Sequence, residues 1–399
     1  MIGKKLLILP LLYSFTLVGC STNNLEKDIS KKNTSTIEVE EKKNEYVDLS
    51  INAIGDMLIH NTVFNSMKTT NGFDFHPMFE DIAPYINKAD FTIANLETVF
   101  AGADSKYTGY PMFNTPEQLG YAMKNTLGVD LVSTNNNHSL DRGINGLNKT
   151  IDYLKDYGLD YIGTSQSQED RDKPYIKNIK GANVGFVSYT YGTNGNIIPK
   201  GKEYAVNLIA KEQILKDCKK LEEGGAEFIV TLLHWGNEYQ KEPSNEQKEL
   251  AKWIFENTNS SLIIGNHPHV VQPIEEIIIT KDGKEKKGVV AYALGNFTGN
   301  QNKEFSDTGI ILNVDLKIDK ANPFSSDAIK KVSYIPTYID INPMSTGKGF
   351  RTINATKAIA DYETGNDKFI TEKEYNLMKK YKNSYANMIK ENNIIIAEK

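Results

Sequence analysis

From Val47 onward the chain alternates apolar and polar positions. Val47, Leu49, Ile51 and Ala53 fall on one side, and the run stops at Gly55-Asp56. A two-residue period of this kind predicts a half-buried strand ending at an acid. Short apolar runs recur at 91–94, 131–133, 184–188, 228–233, 262–264 and 289–294. Between them the spacing changes to helical: Ile144, Leu147, Ile151 and Leu154 share one face of a helix over 141–157, with Gly158 as its stop. Residues 208–223 and 245–256 follow the same pattern. Strand and helix alternation predicts an α/β body with a substantially parallel sheet. Lys281, Asp282 and Gly283 predict a hairpin, so the later sheet is mixed. Residues 371–391 predict a charged amphipathic helix that covers the C-terminal end.

The chain before Val47 follows different rules. Lys4 and Lys5 precede an apolar run from Leu6 to Val18, too short for the roughly 20 residues of a membrane-spanning helix and arranged like a secretory leader. The run ends in Leu17-Val18-Gly19-Cys20, which resembles the bacterial lipobox. That resemblance implies cleavage before Cys20, lipidation of its thiol, and an extracytoplasmic protein anchored to the cell membrane through its lipid. Residues 21–46, rich in Ser, Thr, Asn, Lys and Glu, cannot bury enough surface to fold and predict a flexible tether. The expected organisation is a leader over 1–19, a lipidated tether over 20–46, one α/β domain over 47–345, and a C-terminal helical extension over 346–399.

Composition narrows the chemistry. The 399 residues carry 46 basic and 51 acidic side chains, a formal charge of −5, without the basic block that a nucleic-acid partner requires. Two cysteines, Cys20 and Cys218, are too few for a disulfide framework or a thiolate zinc cluster. Any metal would therefore be held by His, Asp, Glu and Asn.

These residue types sit where the apolar runs end: Gly55-Asp56, Asn95-Leu96-Glu97, Asn136-Asn137-His138, His234-Trp235-Gly236, and Gly265-Asn266-His267-Pro268-His269. In an open α/β sheet the carboxyl ends of parallel strands form the ligand crevice, so five loops are expected to converge there. Carboxylates, an amide oxygen and several imidazoles suit divalent Mn, Fe or Zn. A carboxylate flanked by separate histidine groups can bridge two ions roughly 3.5–4 Å apart, the arrangement that clamps both oxygens of a phosphoryl displacement.

The order Gly-Asp, Asn-acid, Asn-His, His, Gly-x-His-x-His resembles the calcineurin-like metallophosphoesterases. The strings GDMLIH (55–60), ANLET (94–98), NNNHSLDRG (135–143), LLHWGNEY (232–239), GNHPHVVQP (265–273) and YALGNF (292–297) resemble the bacterial capsule synthesis protein CapA family, the poly-γ-glutamate capsule group. The resemblance spans roughly residues 48–310. It implies a metallophosphatase-like αββα sandwich in which Asp56 and His269 hold one ion, Glu97 bridges, and Asn137, His234 and His267 hold the second. It makes His138 the general acid or phosphate-contacting imidazole, oriented by Asp141. Two positions depart from the phosphoesterase pattern. Leu58 stands where a histidine is usual, which leaves His60 as a ligand or a substrate contact, and the bridging acid is Glu97 rather than an aspartate.

Other residues keep two readings. Arg142 is either an anion contact or a solvated residue at a helix start, and Asn296 either lines the crevice or closes a turn. Trp235 and His76 are expected to be structural, and Tyr189 to Gly192 to form a rim. The function implied is capsule or envelope polymer biosynthesis with a site for hydrolysing a phosphate ester. The alternative is a non-catalytic accessory that binds or exports an anionic polymer. Capsule synthesis proteins and an anionic polymer or phosphate-containing envelope substrate are the expected partners.

Overall fold

The computed structural model describes residues 45–281, 283–341, 349–390 and 394–397. The expected leader, Cys20, the tether up to residue 44 and the boundary near residue 345 lie outside the described residues. Four strands open the domain: β1 (Tyr46–Met57), β2 (Phe91–Leu96), β3 (Leu131–Ser133) and β4 (Asp160–Ile162), paired in parallel in that order. The chain then builds a second sheet from β5 (Tyr175–Ile179), β6 (Ala182–Thr190), β7 (Phe228–His234), β8 (Ser260–Asn266), β9 (Ile274–Lys281) and β10 (Lys284–Ala291). Its order is β9-β10-β8-β7-β6-β5, parallel through its four central strands and antiparallel at both edges. The β9–β10 pair is the expected hairpin, with Lys281 opposite Lys284 and Asp282 outside the described residues.

The chain returns to the first sheet with β11 (Asn296–Thr298), β12 (Thr308–Asp319), β13 (Ile329–Asp340), β14 (Arg351–Asn354) and β15 (Ile395–Ala397). Strand β11 lies parallel against the end of β1, and β12 pairs antiparallel along its length. The C-terminal extension therefore differs from the expected helical cover. It contributes helices over Ala355–Thr364 and Glu372–Met388 but also strands β14 and β15. Met378, Tyr381, Tyr385 and Ile389 enter the main core, so the segment is part of the domain.

The two sheets pack face to face. Leu49, Ile51, Ala53, Phe91 and Ile93 of the first meet Val184, Phe186, Val230, Leu262 and Ile264 of the second, and the rings of Phe91 and Phe186 lie 5.3 Å apart. The opposite face of the first sheet, with Ile54, Ala94 and Val132, packs on Met78, Leu119, Met123 and Leu154 of the flanking helices. The outer face of the second receives Ile214 and Leu221 of the helix Lys211–Glu223 and Ile254 and Phe255 of Asn245–Asn257. Helices thus cover both outer faces, and the αββα sandwich is the fold observed. No helix among the described residues is long and apolar enough to cross a membrane.

Candidate metal centre

Close backbone packing places the ligating loops. At the end of β1 a register shift falls at Gly55, where a Cβ would sit 2.0 Å from the Gly295 carbonyl oxygen. Only a glycine lets Gly295 approach and accept from the Asp56 N–H at 2.9 Å. At Gly265 of β8 a Cβ would lie 1.9 Å from the Tyr292 carbonyl oxygen. Beyond Gly265 the chain turns sharply: His267 and His269 have φ of 102° and 59°, strain of the kind that concentrates at functional sites.

Three consecutive asparagines do different work. The Asn135 side chain donates to the carbonyls of Ser188 and Asn207 at 3.0 and 2.9 Å, tying the loop to the second sheet. Asn136 donates to the Leu96 carbonyl at 2.7 Å and accepts from the His138 N–H at 3.0 Å, fixing it to the first. Asn137 is left to face the centre, with its Oδ1 2.8 Å from His234 Nε2.

Around these anchors the expected ligands converge. Asp56, Glu97 and His269 form one group whose ligand atoms lie within 4.8 Å of one another, and Glu97, His234 and His267 form another. All five are buried. His269 Nδ1 is 3.1 Å from Asp56 Oδ2, and Asn95 donates to Asp56 Oδ1 at 2.8 Å. Glu97 Oε1 lies 3.4 Å from His234 Nε2 and 3.7 Å from His269 Nε2.

Electrostatics separates the two halves. Burial would raise the Asp56 carboxyl, but its hydrogen bond from His269 and the charge on that ring hold it below the usual carboxylate range. Burial likewise opposes charge on His269, yet Glu97 and Asp56 outweigh it and push the imidazole up to about 9. Burial pushes His234 down to about 3 and drives His267 well below the histidine range. It also raises Glu97 well above the ordinary range. Neither Glu97 oxygen has a hydrogen-bond partner, nor does His267 Nδ1. Buried lone pairs without donors, framed by imidazoles, fit divalent cations.

Beside this cluster, His138 Nδ1 contacts Asp141 Oδ2 at 2.7 Å, and the same oxygen accepts from the Phe113 N–H at 2.7 Å. The Phe113 ring stands edge-on to His138 with centroids 4.7 Å apart. The helix Gly143–Asp156 starts just beyond, so Asp141 reaches back from the turn that precedes it.

The sequence matches the family described as bacterial capsule synthesis protein PGA_cap over residues 50–301. The chain belongs to this family. It is 27% identical over 267 residues to the capsule biosynthesis protein CapA of Bacillus anthracis, covering 65% of this chain and 62% of that protein. It is 24% identical over 255 residues to the PGA biosynthesis protein CapA of Bacillus subtilis (strain 168), covering 63% and 64%. The match therefore spans a little under two thirds of the length of each. Among solved structures it is similar to a 5'-nucleotidase precursor from Thermus thermophilus, with a TM-score of 0.44, 15% identity, and 86% of this chain and 59% of that one covered.

Within this PGA_cap chain the other expected residues fall outside the metal groups. His60 Nδ1 accepts from the Asn300 N–H at 3.1 Å, and burial, with His269 nearby, pushes the ring down to about 4. Asn296 Oδ1 lies 3.1 Å from His269 Nδ1 while its amide donates to Gln301 and to the Ser306 carbonyl, so it buttresses a ligand. Arg142 turns to the 108–112 loop, donating to Thr108 and, at 3.0 Å, to the Met112 carbonyl. Trp235 is buried and donates to the Tyr292 carbonyl, and His76 lies away from the cluster against Thr126.

Asn194 was not singled out from the sequence, and Asn95, Glu238 and Tyr191 appeared there only within longer strings. Asn95 braces Asp56. The exposed Glu238 brings a carboxylate within ligating distance of His267 and His269. Tyr191 lies over His267 with centroids 4.5 Å apart, at the rim expected of its segment. Asn194 touches both Asn137 and His138. A cavity of about 530 Å³ lined by Tyr161, Tyr189, Arg171 and Asp217 shares no residue with the cluster, and its Arg171 and Asp217 are paired at 2.6 Å.

Proposed function

We propose that this PGA_cap protein is an extracytoplasmic, lipid-anchored member of a capsule or envelope-polymer assembly. In this reading it holds two divalent transition-metal ions, Mn, Fe or Zn, and hydrolyses a phosphate ester of an anionic envelope component. The observation that carries the reading is Glu97, a buried carboxylate with no hydrogen bond to either oxygen, shared by two separate ligand groups. Asp56 and His269 would hold one ion and Asn137, His234 and His267 the other. Such ions would supply Lewis-acid polarisation of a phosphoryl oxygen and acidify water toward neutral pH. The chain's own residues do the rest. His138, oriented through Nδ1 by Asp141, would carry a proton at Nε2 for the leaving oxygen. Tyr191 and Tyr239 would cover the mouth over His267 and His269. The Leu17 to Cys20 motif supports the anchor.

The relatives are named for biosynthesis rather than hydrolysis, which favours a second reading: an accessory that binds or exports an anionic capsule polymer through the same pocket. The Mn²⁺-loaded mature protein should hydrolyse an aryl phosphate and lose that activity in Glu97→Gln. Full metal occupancy without turnover, together with retained binding of poly-γ-glutamate by His138→Ala, would replace the first reading with the second.

A further inference from the structure

At one side of the sandwich β4, the edge of the first sheet, and β5, the edge of the second, border the cavity of about 530 Å³, with Asp217 and Leu221 of the helix Lys211–Glu223 beside them. Sites for small organic molecules have volumes of roughly 300–1,000 Å³. Tyr161 of β4 and Tyr175 of β5 bring half-buried rings to the lining. The lining also carries four basic side chains and four carboxylates, so its formal charge is zero. Most of these groups are held by neighbours. Arg171 meets Asp217 at 2.6 Å and Lys220 meets Asp172 at 2.8 Å. Asp160 accepts from the Tyr175 hydroxyl at 2.7 Å, and Asp170 accepts from the Tyr161 hydroxyl at 3.0 Å. A charged ligand would give up its hydration here without meeting an excess of opposite charge. Fixed donors and acceptors beside aromatic faces instead suit an uncharged molecule rich in hydroxyls that also has C–H faces.

One wall has hydrogen-bonding capacity that the chain leaves unfilled. Ser188 and Asn207 line the cavity, and the side-chain nitrogens of Asn135 and Asn207 both donate to the Ser188 carbonyl, at 3.0 and 3.2 Å. Their amide oxygens, Asn135 Oδ1 and Asn207 Oδ1, have no hydrogen-bond partner among the described residues. Buried acceptors without a donor are rare and call for one from outside the chain. We propose that this cavity is a binding site for a neutral mono- or disaccharide, separate from the metal centre. The fixed side chains take the hydroxyls, and Tyr161 or Tyr175 takes the face of a sugar ring. The proposal rests on the cavity alone and not on the metal-binding reading above.

The test is calorimetric titration of the mature protein in chelator, which keeps the metal centre out of the result. Glucose, galactose and N-acetylglucosamine are the neutral probes, and glucuronate and galacturonate are the charged ones. At least one neutral sugar should bind with a Kd below about 1 mM, and each uronate should bind about tenfold or more weakly than that sugar. Tyr161→Leu and Tyr175→Leu each remove a ring, and one of them should weaken the best sugar about tenfold. Tyr161→Phe and Tyr175→Phe keep the ring and should stay within about threefold of wild type. Urea midpoints identify the variants that fold, and the wild-type comparison of neutral with charged probes stands without them. No binding of any neutral sugar at about 10 mM overturns the proposal. So does a uronate that binds as tightly as the best neutral sugar, or unchanged affinity in both folded leucine variants. Failure to bind metal would count against the metal reading and leave this site untouched.

Discussion

Glu97→Gln should stabilise the metal-free protein and abolish its stabilisation by metal, a reversal that a generic packing defect does not produce. The carboxyl is fully buried and neither oxygen is hydrogen-bonded. Leaving such a group unsatisfied costs about 1–3 kcal/mol, and more when it is charged. Burial raises its pKa in the folded state above the unfolded value. The folded protein therefore binds more protons than the unfolded chain at that position. Its contribution is fully present below the unfolded value near 4.5 and is lost as pH rises through the folded value. A neutral glutamine of similar volume removes that loss, so in chelator at pH 7.5 the variant should be more stable by about 2 kcal/mol. With Mn²⁺ at a hundredfold excess over Kd, each occupied wild-type site adds about 2.7 kcal/mol. Glu97 belongs to both ligand groups, so the variant should gain little. Urea denaturation in EDTA and in Mn²⁺ reads both effects as midpoints at constant slope. A variant less stable than wild type in chelator, or equally stabilised by Mn²⁺, would refute the assignment of Glu97 as the shared ligand.

Three further outcomes are expected. Gly55→Ala drives a methyl into the Gly295 carbonyl, 2.0 Å from the ideal Cβ, and should cost about 3 kcal/mol in urea denaturation and reduce bound metal, since Asp56 and Asn296 move with that contact. His138→Gln should leave bound metal unchanged while lowering aryl phosphate turnover about 10²- to 10⁴-fold; loss of metal instead would make His138 a structural residue. Lys286 is buried among the carbonyls of Phe255, Thr258 and Ser260, and burial pushes its ammonium down to about 7. The unfolded chain then binds more protons between about 7 and 10.5, so stability should rise with pH in that window. The difference between wild type and Lys286→Met should change by about 2 kcal/mol from pH 7 to 9, and no change would show that the ammonium stays charged throughout.

Much of the centre was legible because the chain writes it locally. Each parallel strand is a short apolar run, and its reactive residues follow at once, so position along the run already places them at one end of a sheet. Helix limits followed the same logic: the predicted 245–256 is observed as Asn245–Asn257, closed at its start by a capping box from Ser244 and Gln247. What was not legible depends on distant partners. The register shift at Gly55 exists because Gly295 arrives from 240 residues away. Asn194 lies in a Gly-rich loop whose sequence says only turn, and its contacts with Asn137 and His138 appear only in the fold. Nothing near Arg142 in sequence shows that its side chain reaches Thr108 and the Met112 carbonyl. Strand β14 is only four residues long and carries the buried Arg351, which Asp340, Asp81 and Asp367 neutralise, so no hydrophobic alternation announces it.

The central claim is that residues from five loops enclose a pair of ions. Anomalous scattering from crystals of the untreated protein tests it most directly. The account predicts two peaks, one bounded by Asp56, Glu97 and His269 and one by Glu97, Asn137, His234 and His267. Strong diffraction data with no peak at either position, or with metal only at unrelated surface groups, would contradict it.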